Sequence, residues 1–286
     1  MPDRAYDFHL HTQASDGAFT AAEALRKAAL SGLSGISITD HDTLDAYSIF
    51  DEAPLPPTNE SLPRVLPGIE ISTRLGEEEA HILGYFPGGF SPAIREYVEA
   101  ILQCRRDRMA MGIAKLRERG IDISSGDCER LATGRVISRS VIAALLVEKR
   151  YIGRAHRAYP DYVGPKVVPL PNESAAQAVT RIGDLGGVSI WAHPGAKQIE
   201  AHLEELREAG LEGVEVLIPR RSPAERQALA EKIRAMGLLV TGGSDWHGRP
   251  DRPDLGRFRV AGGLVVEFLR RVGWENDSSD RASISG

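Results

Sequence analysis

Short apolar segments alternate with amphipathic helical segments along most of this 286-residue chain. The almost wholly apolar segment 187–192, for example, lies between helices predicted near residues 174–185 and 199–209. Strands of this kind are buried on both faces, and their alternation with helices favours an α/β fold around a parallel sheet. In α/β barrels the chemistry gathers at the carboxyl ends of the strands, so reactive side chains are expected there.

One long region departs from this alternation. Strand signals are sparse over residues 91–165, where Ser91-Pro92 is a good start for a helix reaching about residue 120. A second helix is predicted over residues 136–149. We therefore expect a barrel domain formed by residues 1–90 and 166–274, with residues 91–165 as a helical insertion over the active site. The polar, serine-rich residues 275–286 are predicted to be a disordered tail.

Composition excludes several classes of protein. No apolar run is long enough for a transmembrane helix, and the first residues lack the apolar core of a signal peptide. The two cysteines offer no disulfide framework, which is typical of the reducing cytoplasm. We therefore expect a cytoplasmic protein with no membrane partner and no obligate protein partner. The formal net charge of −5 argues against a general nucleic-acid surface, but it leaves room for a local basic groove.

A His-x-His pair lies in the first predicted strand. Because side chains alternate along a strand, His9 and His11 would share one face while their apolar neighbours enter the core. Such a pair alone is a weak signal. Asp245 and His247 repeat the same spacing after a later strand, which strengthens the case for a metal site.

Imidazole and carboxylate side chains recur at or near the ends of the predicted strands. Neutral imidazole and carboxylate groups bind Mn²⁺, Fe²⁺ or Zn²⁺, and buried carboxylates need cations to compensate them. Nine ligands are too many for one ion, so we expect two or three divalent ions, with Glu70 able to bridge. The remaining histidines, His156 and His202, are predicted to lie on the surface. The nine candidate ligands are His9, His11, Asp16, His41, Glu70, His81, His193, Asp245 and His247.

Seven short motifs carry these ligands and span residues 7–247. They are Asp7-Phe8-His9-Leu10-His11, Ser15-Asp16-Gly17, Ile38-Thr39-Asp40-His41-Asp42, Pro67-Gly68-Ile69-Glu70, His81-Ile82-Leu83-Gly84, Ala192-His193-Pro194 and Gly243-Ser244-Asp245-Trp246-His247. In order and spacing the chain resembles the polymerase and histidinol phosphatase (PHP) family of metal-dependent phosphoesterases, within the amidohydrolase superfamily. This resemblance implies an α/β fold of the PHP type, a distorted (β/α)7 barrel. The helical insertion is similar to that of stand-alone members that hydrolyse nucleotide 3′-phosphates, cyclic phosphates or short oligonucleotides.

The resemblance also implies how the ligands divide among the ions. The expected catalytic residues are Glu70, Asp245 and His193, with a hydroxide that bridges the first two ions attacking phosphorus. The third ion or a protonated histidine would stabilise the leaving alkoxide, and the sequence does not choose between them. The implied sets are His9, His11, Glu70 and Asp245 for one ion, Glu70, His81 and His193 for a second, and Asp16, His41 and His247 for a third.

Basic residues are expected to complete a phosphate site. Arg139, at the start of a predicted helix, resembles a phosphate-contacting arginine of the family, and the helix N-terminus would add N–H donors. Lys166 is the second candidate for substrate binding. Arg105 and Arg108 could line the same cleft, although arginines on a helix surface are usually solvated.

One position departs from the family pattern. Related stand-alone members often carry a histidine two residues after that arginine, and this chain has Val141 there. If that histidine contacts substrate or assists the leaving group, the substrate range or rate of this protein would differ.

Three classes of function fit these motifs. The first is a phosphoesterase acting on a nucleoside 3′,5′-bisphosphate, an AMP-like nucleotide, or the end of a short RNA or DNA. The second is an amidohydrolase that cleaves a C–N bond, and the third is a non-catalytic metal-binding module. The Asp16, His41 and His247 set, which suits a third ion, favours phosphorus chemistry over the second class. The complete ligand set argues against the third, and nothing singles out histidinol phosphate as the substrate.

Overall fold

Two mixed β-sheets form the centre of the molecule. The computed structural model describes residues 4–49, 62–250 and 252–274. The first sheet has the order β3-β2-β1-β9, with β1, β2 and β3 parallel and β9 antiparallel to β1. The strands are β1 Ala5–Leu10, β2 Gly35–Ile38, β3 Arg64–Val65, β4 Gly68–Leu75, β5 Glu78–Tyr85, β6 Val188–Trp191, β7 Gly213–Leu217, β8 Leu239–Gly242 and β9 Val260–Ala261.

The second sheet has the order β4-β5-β6-β7-β8 and is only partly parallel. Strands β6, β7 and β8 are parallel, whereas β5 is antiparallel to both β4 and β6. The expectation of a parallel sheet is therefore wrong for this part of the chain. Only two residues separate β4 from β5, and Gly76 in this turn has a φ of 59°. So short a connection can join only antiparallel strands.

The helices begin largely where the sequence predicts. Thr20 caps the first helix with a complete capping box, and Ser91 caps the long helix with Pro92 in its first turn. These caps satisfy backbone N–H groups that have no partner within the helix. The α-helices that lie within the described ranges are α1 Ala21–Leu30, α2 Pro92–Glu118, α3 Ser125–Leu131, α4 Arg139–Glu148, α5 Ala175–Asp184, α6 Ala196–Glu208, α7 Pro223–Ala235 and α8 Val266–Arg271.

Backbone contacts join the two sheets at the ends of their strands. Isolated parallel bridges pair Leu10 with Trp246 and His41 with Glu70. The Tyr85 hydroxyl, from the second sheet, donates to the Phe8 carbonyl of the first at 2.8 Å. The ends of β1, β2 and β8 therefore lie close to the start of β4, and this is where the predicted ligands come together.

A second hydrophobic cluster is formed mostly by residues of the predicted insertion. Met109, Leu116, Leu145 and Leu146 are nearly or fully buried in it, apart from the main core around the sheets. The division into a barrel domain and an insertion stays a prediction. Within the described ranges, no helix is both long and apolar enough to cross a membrane. The predicted disordered tail, residues 275–286, lies outside the described residues.

Candidate metal centre

All nine candidate ligands come together at one place. Seven of them lie at the end of β1 or in the loops after β1, β2, β6 and β8, and Glu70 and His81 lie in the β4–β5 hairpin. Their donor atoms form four overlapping groups, each with all its atoms within 4.8 Å of one another. The groups are His11, Asp16, His41 and His247; His9, His11 and Asp245; His9, Glu70 and His193; and His41, Glu70 and His81.

Glu70 lies at the centre of this cluster and is fully buried. Its Oε1 is 2.9 Å from His81 Nδ1 and 3.1 Å from His193 Nε2. Its Oε2 is 3.0 Å from His41 Nδ1, 3.2 Å from His11 Nε2 and 3.4 Å from His9 Nε2. Each oxygen thus faces a different set of imidazoles, which is the arrangement expected of a carboxylate that bridges two ions.

The remaining carboxylates flank Glu70. Asp245 Oδ1 lies 3.2 Å from His11 Nε2 and 3.6 Å from His9 Nε2. Asp16 Oδ1 lies 3.2 Å from His247 Nε2. The three carboxylates therefore divide the cluster into neighbouring donor sets that share histidines.

Unusual backbone conformations aim several of these side chains. His193 has a φ of 34° and Asp245 a φ of 54°, a left-handed region that non-glycine residues adopt at an energetic cost. Close packing adds a second constraint, because a Cβ on Gly243 would lie 2.4 Å from His9 Cβ. Only glycine lets the loop that carries Asp245 pack this closely on β1.

Many donor atoms of the cluster have no hydrogen-bond partner. They include His11 Nδ1, Asp16 Oδ1, His41 Nδ1, Glu70 Oε2 and His81 Nδ1, all buried. Several lie within about 3 Å of one another without hydrogen-bond geometry, so their lone pairs converge on shared space. Leaving buried polar atoms unpaired is costly, whereas divalent cations would satisfy them together. The residues present therefore fit a metal site of oxygen and imidazole ligands.

The pKa shifts of the cluster side chains also indicate a cation site. Burial alone would lower the pKa of His11, but its close contacts with the negatively charged carboxylates of Asp245 and Glu70 raise the pKa to about 10. Burial likewise opposes the rise in the pKa of His81 to about 10, which Glu70 and Glu79 cause. The surrounding histidines lower the pKa of Glu70 despite its burial. The carboxylates thus attract positive charge strongly, as a cation site requires.

Buried carboxylates outside the predicted set support the ligands. Glu215 on β7 is fully buried, its Oε1 is 3.0 Å from His9 Nδ1, and its Oε2 accepts from the His193 N–H at 2.9 Å. Asp7 Oδ1 accepts from the Ser244 N–H at 2.8 Å, and burial raises the pKa of Asp7 to about 7. Sequence reasoning missed both residues, although a lone carboxylate in the apolar segment 213–217 was a usable signal.

The predicted phosphate-binding residues lie in two different environments. Arg139 is largely buried, where Nη1 pairs with Glu79 and Nε donates to the Val163 carbonyl at 2.8 Å. The next residue, Ser140, donates from Oγ to Asp16 Oδ2 at 3.2 Å, so the N-terminus of α4 borders the cluster. Lys166 is exposed.

Two arginines of α2, for which the sequence left open a place in the cleft or a solvated helix surface, are buried rather than solvated. Arg105 Nη1 donates to Asp42 Oδ2 at 2.6 Å and to Ser72 Oγ at 2.9 Å. Arg108 Nη1 donates to the Pro169 carbonyl at 3.0 Å. Their carboxylate and carbonyl partners explain why these guanidinium groups tolerate burial. As predicted for surface residues, His156 is exposed and the His202 side chain is partly exposed.

No family model matches the chain, but individual proteins do. It is 30% identical over 274 residues to the 5′-3′ exoribonuclease Rnm of Escherichia coli, covering 88% of each chain. It is 30% identical over 266 residues to the phosphoribosyl 1,2-cyclic phosphate 1,2-diphosphodiesterase of Eggerthella lenta, covering 89% of this chain and 98% of that protein. It is 28% identical over 250 residues to the 3′,5′-nucleoside bisphosphate phosphatase of Chromobacterium violaceum, covering 84% and 86%.

The chain also resembles proteins of known structure over almost its whole length. The fold is similar to that of a metal-dependent phosphoesterase from Bifidobacterium adolescentis, with a TM-score of 0.74 and 27% identity. That match covers 94% of this chain and 97% of the other. A structure from Chromobacterium violaceum described as an amidohydrolase also matches with a TM-score of 0.74, at 25% identity over 93% and 96% of the chains.

Proposed function

The chain belongs to the PHP family of metal-dependent phosphoesterases, and on that premise we propose that it hydrolyses phosphate esters of nucleotides at the Glu70 cluster. It is a hydrolase of phosphate ester bonds. The observation that carries the proposal is the position of Glu70, whose two oxygens face five imidazoles with Asp16 and Asp245 on either side. This ligand set contains no thiolate and suits Mn²⁺, Fe²⁺ or Zn²⁺.

We propose that all nine cluster residues are metal ligands for two or three divalent ions. When bound, the ions supply a water of lowered pKa and positive charge for the phosphoryl oxygens. His9, His11 and Asp245 form one donor group beside Glu70. Glu70 groups with His9 and His193, and separately with His41 and His81. Asp16, His41 and His247 group with His11, so His11 lies between the proposed first and third sites.

Catalytic roles follow from position in the cluster. Glu70 fixes the relative orientation of the imidazoles on both its oxygens. Asp245 balances the charge beside His9 and His11. The His193 ring contacts Glu70 at 3.1 Å, and its backbone is anchored by Glu215. Glu70, Asp245 and His193 would keep the cluster rigid, and a rigid cluster would position the reacting phosphate.

The phosphate site would be completed from residues 91–165 and the segment that follows. The N-terminus of α4 borders Asp16 through Ser140 and offers backbone N–H donors to an anion. Arg139 keeps N–H groups beyond those used on Glu79, Val163 and Val168, and these are proposed to donate to a phosphate oxygen. Lys166 is exposed and is proposed as a more peripheral contact.

We further propose that the two sheets are the parts of a distorted (β/α)7 barrel, with residues 91–165 inserted over its active end. The bridges Leu10–Trp246 and His41–Glu70 support this, because they connect the sheets at the strand ends that carry the ligands. The proposed substrates are small nucleotide phosphate esters and short RNA or DNA ends, in the cytoplasm. The names of the relatives, an exoribonuclease, a cyclic phosphate diesterase and a bisphosphate phosphatase, support this range.

Phosphate release in the presence of Mn²⁺ tests the proposal. Substrates are a nucleoside 3′,5′-bisphosphate, AMP, a short RNA, histidinol phosphate and an N-acyl amino acid as a C–N bond control. We expect release from at least one nucleotide, loss of release with a chelator, and retention in Glu78→Gln, an exposed change in the same hairpin. Release from no phosphate ester, with cleavage of the C–N bond, would favour an amidohydrolase instead.

A further inference from the structure

A basic groove leads away from the metal cluster. It is a cavity of about 490 Å³ whose inner wall is formed by His193, Asp245 and His247. Five arginines line much of the rest, next to apolar residues such as Ile218 and Phe258. Together these arginines are called the arginine groove here: Arg220, Arg226, Arg249, Arg252 and Arg257. The chain as a whole has a formal charge of −5, so this positive charge is concentrated locally.

Little negative charge opposes these arginines. Among the residues that the structure describes, two carboxylates line the groove, and one of them, Asp245, already belongs to the metal cluster. The other, Asp254, is neutralised by Lys27, with an Nζ–Oδ2 distance of 2.9 Å. Across the described ranges, the side chains of Arg252 and Arg257 form no hydrogen bond or ion pair, and both residues are exposed. The groove therefore carries a net positive charge that is available to bind an anionic ligand.

The inner arginines are held in place by the protein. Arg220 donates from Nη2 to the His193 carbonyl, and Arg226 donates to the carbonyls of Ile218 and Pro219 at 2.9 and 3.2 Å. Arg249 Nη2 lies 3.4 Å from Asp16 Oδ2, at the edge of the cluster. Fixed guanidinium groups lose less entropy when they bind an anion, and each retains free N–H donors for phosphate oxygens.

We infer that the arginine groove binds the sugar-phosphate backbone of a single-stranded oligonucleotide whose terminal ester lies at the metal cluster. This inference rests on the proposed function and narrows its substrate class. The groove opens directly from the cluster, so its occupant is the continuation of the substrate itself. One reacting phosphate would lie at the cluster beside the N-terminus of α4, whereas the five further guanidinium groups of the groove match a chain of successive phosphates. Phosphate contacts of this kind dominate affinity for nucleic acid strands.

Strand binding without metal tests the groove separately from catalysis. Fluorescence anisotropy would follow labelled ten-nucleotide RNA and DNA of the same sequence in a chelator over a range of salt concentrations. We expect the double variant Arg252→Gln/Arg257→Gln to bind at least about tenfold more weakly, because it removes two cationic hydrogen-bond donors to phosphate. The slope of log K against log salt should fall in magnitude by about 0.7 for each phosphate that the variant no longer neutralises.

The matched control removes two exposed arginines elsewhere, in Arg130→Gln/Arg207→Gln. Binding by the groove variant that equals binding by the native and control chains would overturn the inference. Comparing the affinities for the RNA and the DNA oligonucleotide shows which of the two sugar-phosphate backbones the groove binds. Weaker strand binding in the groove variant, with no phosphate release by the native chain in Mn²⁺, would support the groove and contradict the proposed function.

Discussion

His9 Nδ1 lies 3.0 Å from Glu215 Oε1, and both side chains are buried. When Nδ1 carries the proton and donates a hydrogen bond to this carboxylate, Nε2 keeps its lone pair. That lone pair is directed at Glu70, Asp245 and the metal cluster. The second oxygen of Glu215 accepts the backbone N–H of His193, which has a positive φ. One carboxylate therefore positions two candidate ligands, one in β1 and one in the loop after β6.

Glu215→Gln should weaken metal binding without unfolding the chain. The amide keeps the shape but removes the charge that orients His9, and loss of such an outer partner typically costs about 10- to 100-fold in metal affinity. Calorimetric titration of Mn²⁺ measures the effect, with Glu212→Gln, at the partly buried residue before β7, as the control. An unchanged affinity in Glu215→Gln would show that His9 needs no partner.

Divalent metal should stabilise the native chain against heat. The cluster holds several buried atoms without hydrogen-bond partners, and ligands that bind only the folded state stabilise it. At a Mn²⁺ concentration 100 times the Kd the gain is about 2.7 kcal/mol, visible as a rise in Tm. His202→Ala, outside the cluster, should keep the rise and His41→Ala should reduce it. A Tm that is insensitive to Mn²⁺ would count against the metal site.

Arg105→Ala should destabilise the fold. Arg105 connects α2 to Asp42 and Ser72 beside the cluster, and its removal leaves the Asp42 carboxylate buried without this cation. Breaking one side of a buried pair typically costs about 3–5 kcal/mol. Urea unfolding measures the loss, and Arg117→Ala, at an exposed position of the same helix, should change stability by less than about 0.5 kcal/mol. Equal stabilities for the two variants would refute this role.

Gly243→Ala should impair both stability and metal binding. The added methyl group would lie 2.4 Å from His9 Cβ and 2.6 Å from the His9 backbone nitrogen, so β1 or the Asp245 loop must move. Overpacking of this kind costs about 1–3 kcal/mol. Gly263→Ala meets no atom within 4 Å and serves as the control for urea unfolding and Mn²⁺ titration. Native-like values for Gly243→Ala would mean that the loop tolerates displacement.

The sequence predicted the start of the long helix and the residues that gather in the cluster, because both depend on local patterns. Ser91 caps α2 as expected, and the nine candidate ligands recur at or near strand ends. The pairing of His9 with Glu215 spans 206 residues, and no local pattern encodes it. The burial of Arg105 likewise depends on how α2 packs against Asp42, which periodicity does not reveal.

The number of divalent ions bound per chain tests the central role of Glu70 most directly. Metal content after equilibration with Mn²⁺ and gel filtration would be measured for the native chain, Glu70→Ala and Asp245→Ala. Because Glu70 faces two sets of imidazoles and Asp245 faces one, we predict at least two ions in the native chain. Glu70→Ala should lose more metal than Asp245→Ala, together with phosphate release. Native metal content in Glu70→Ala would contradict a bridging carboxylate at the centre of the site.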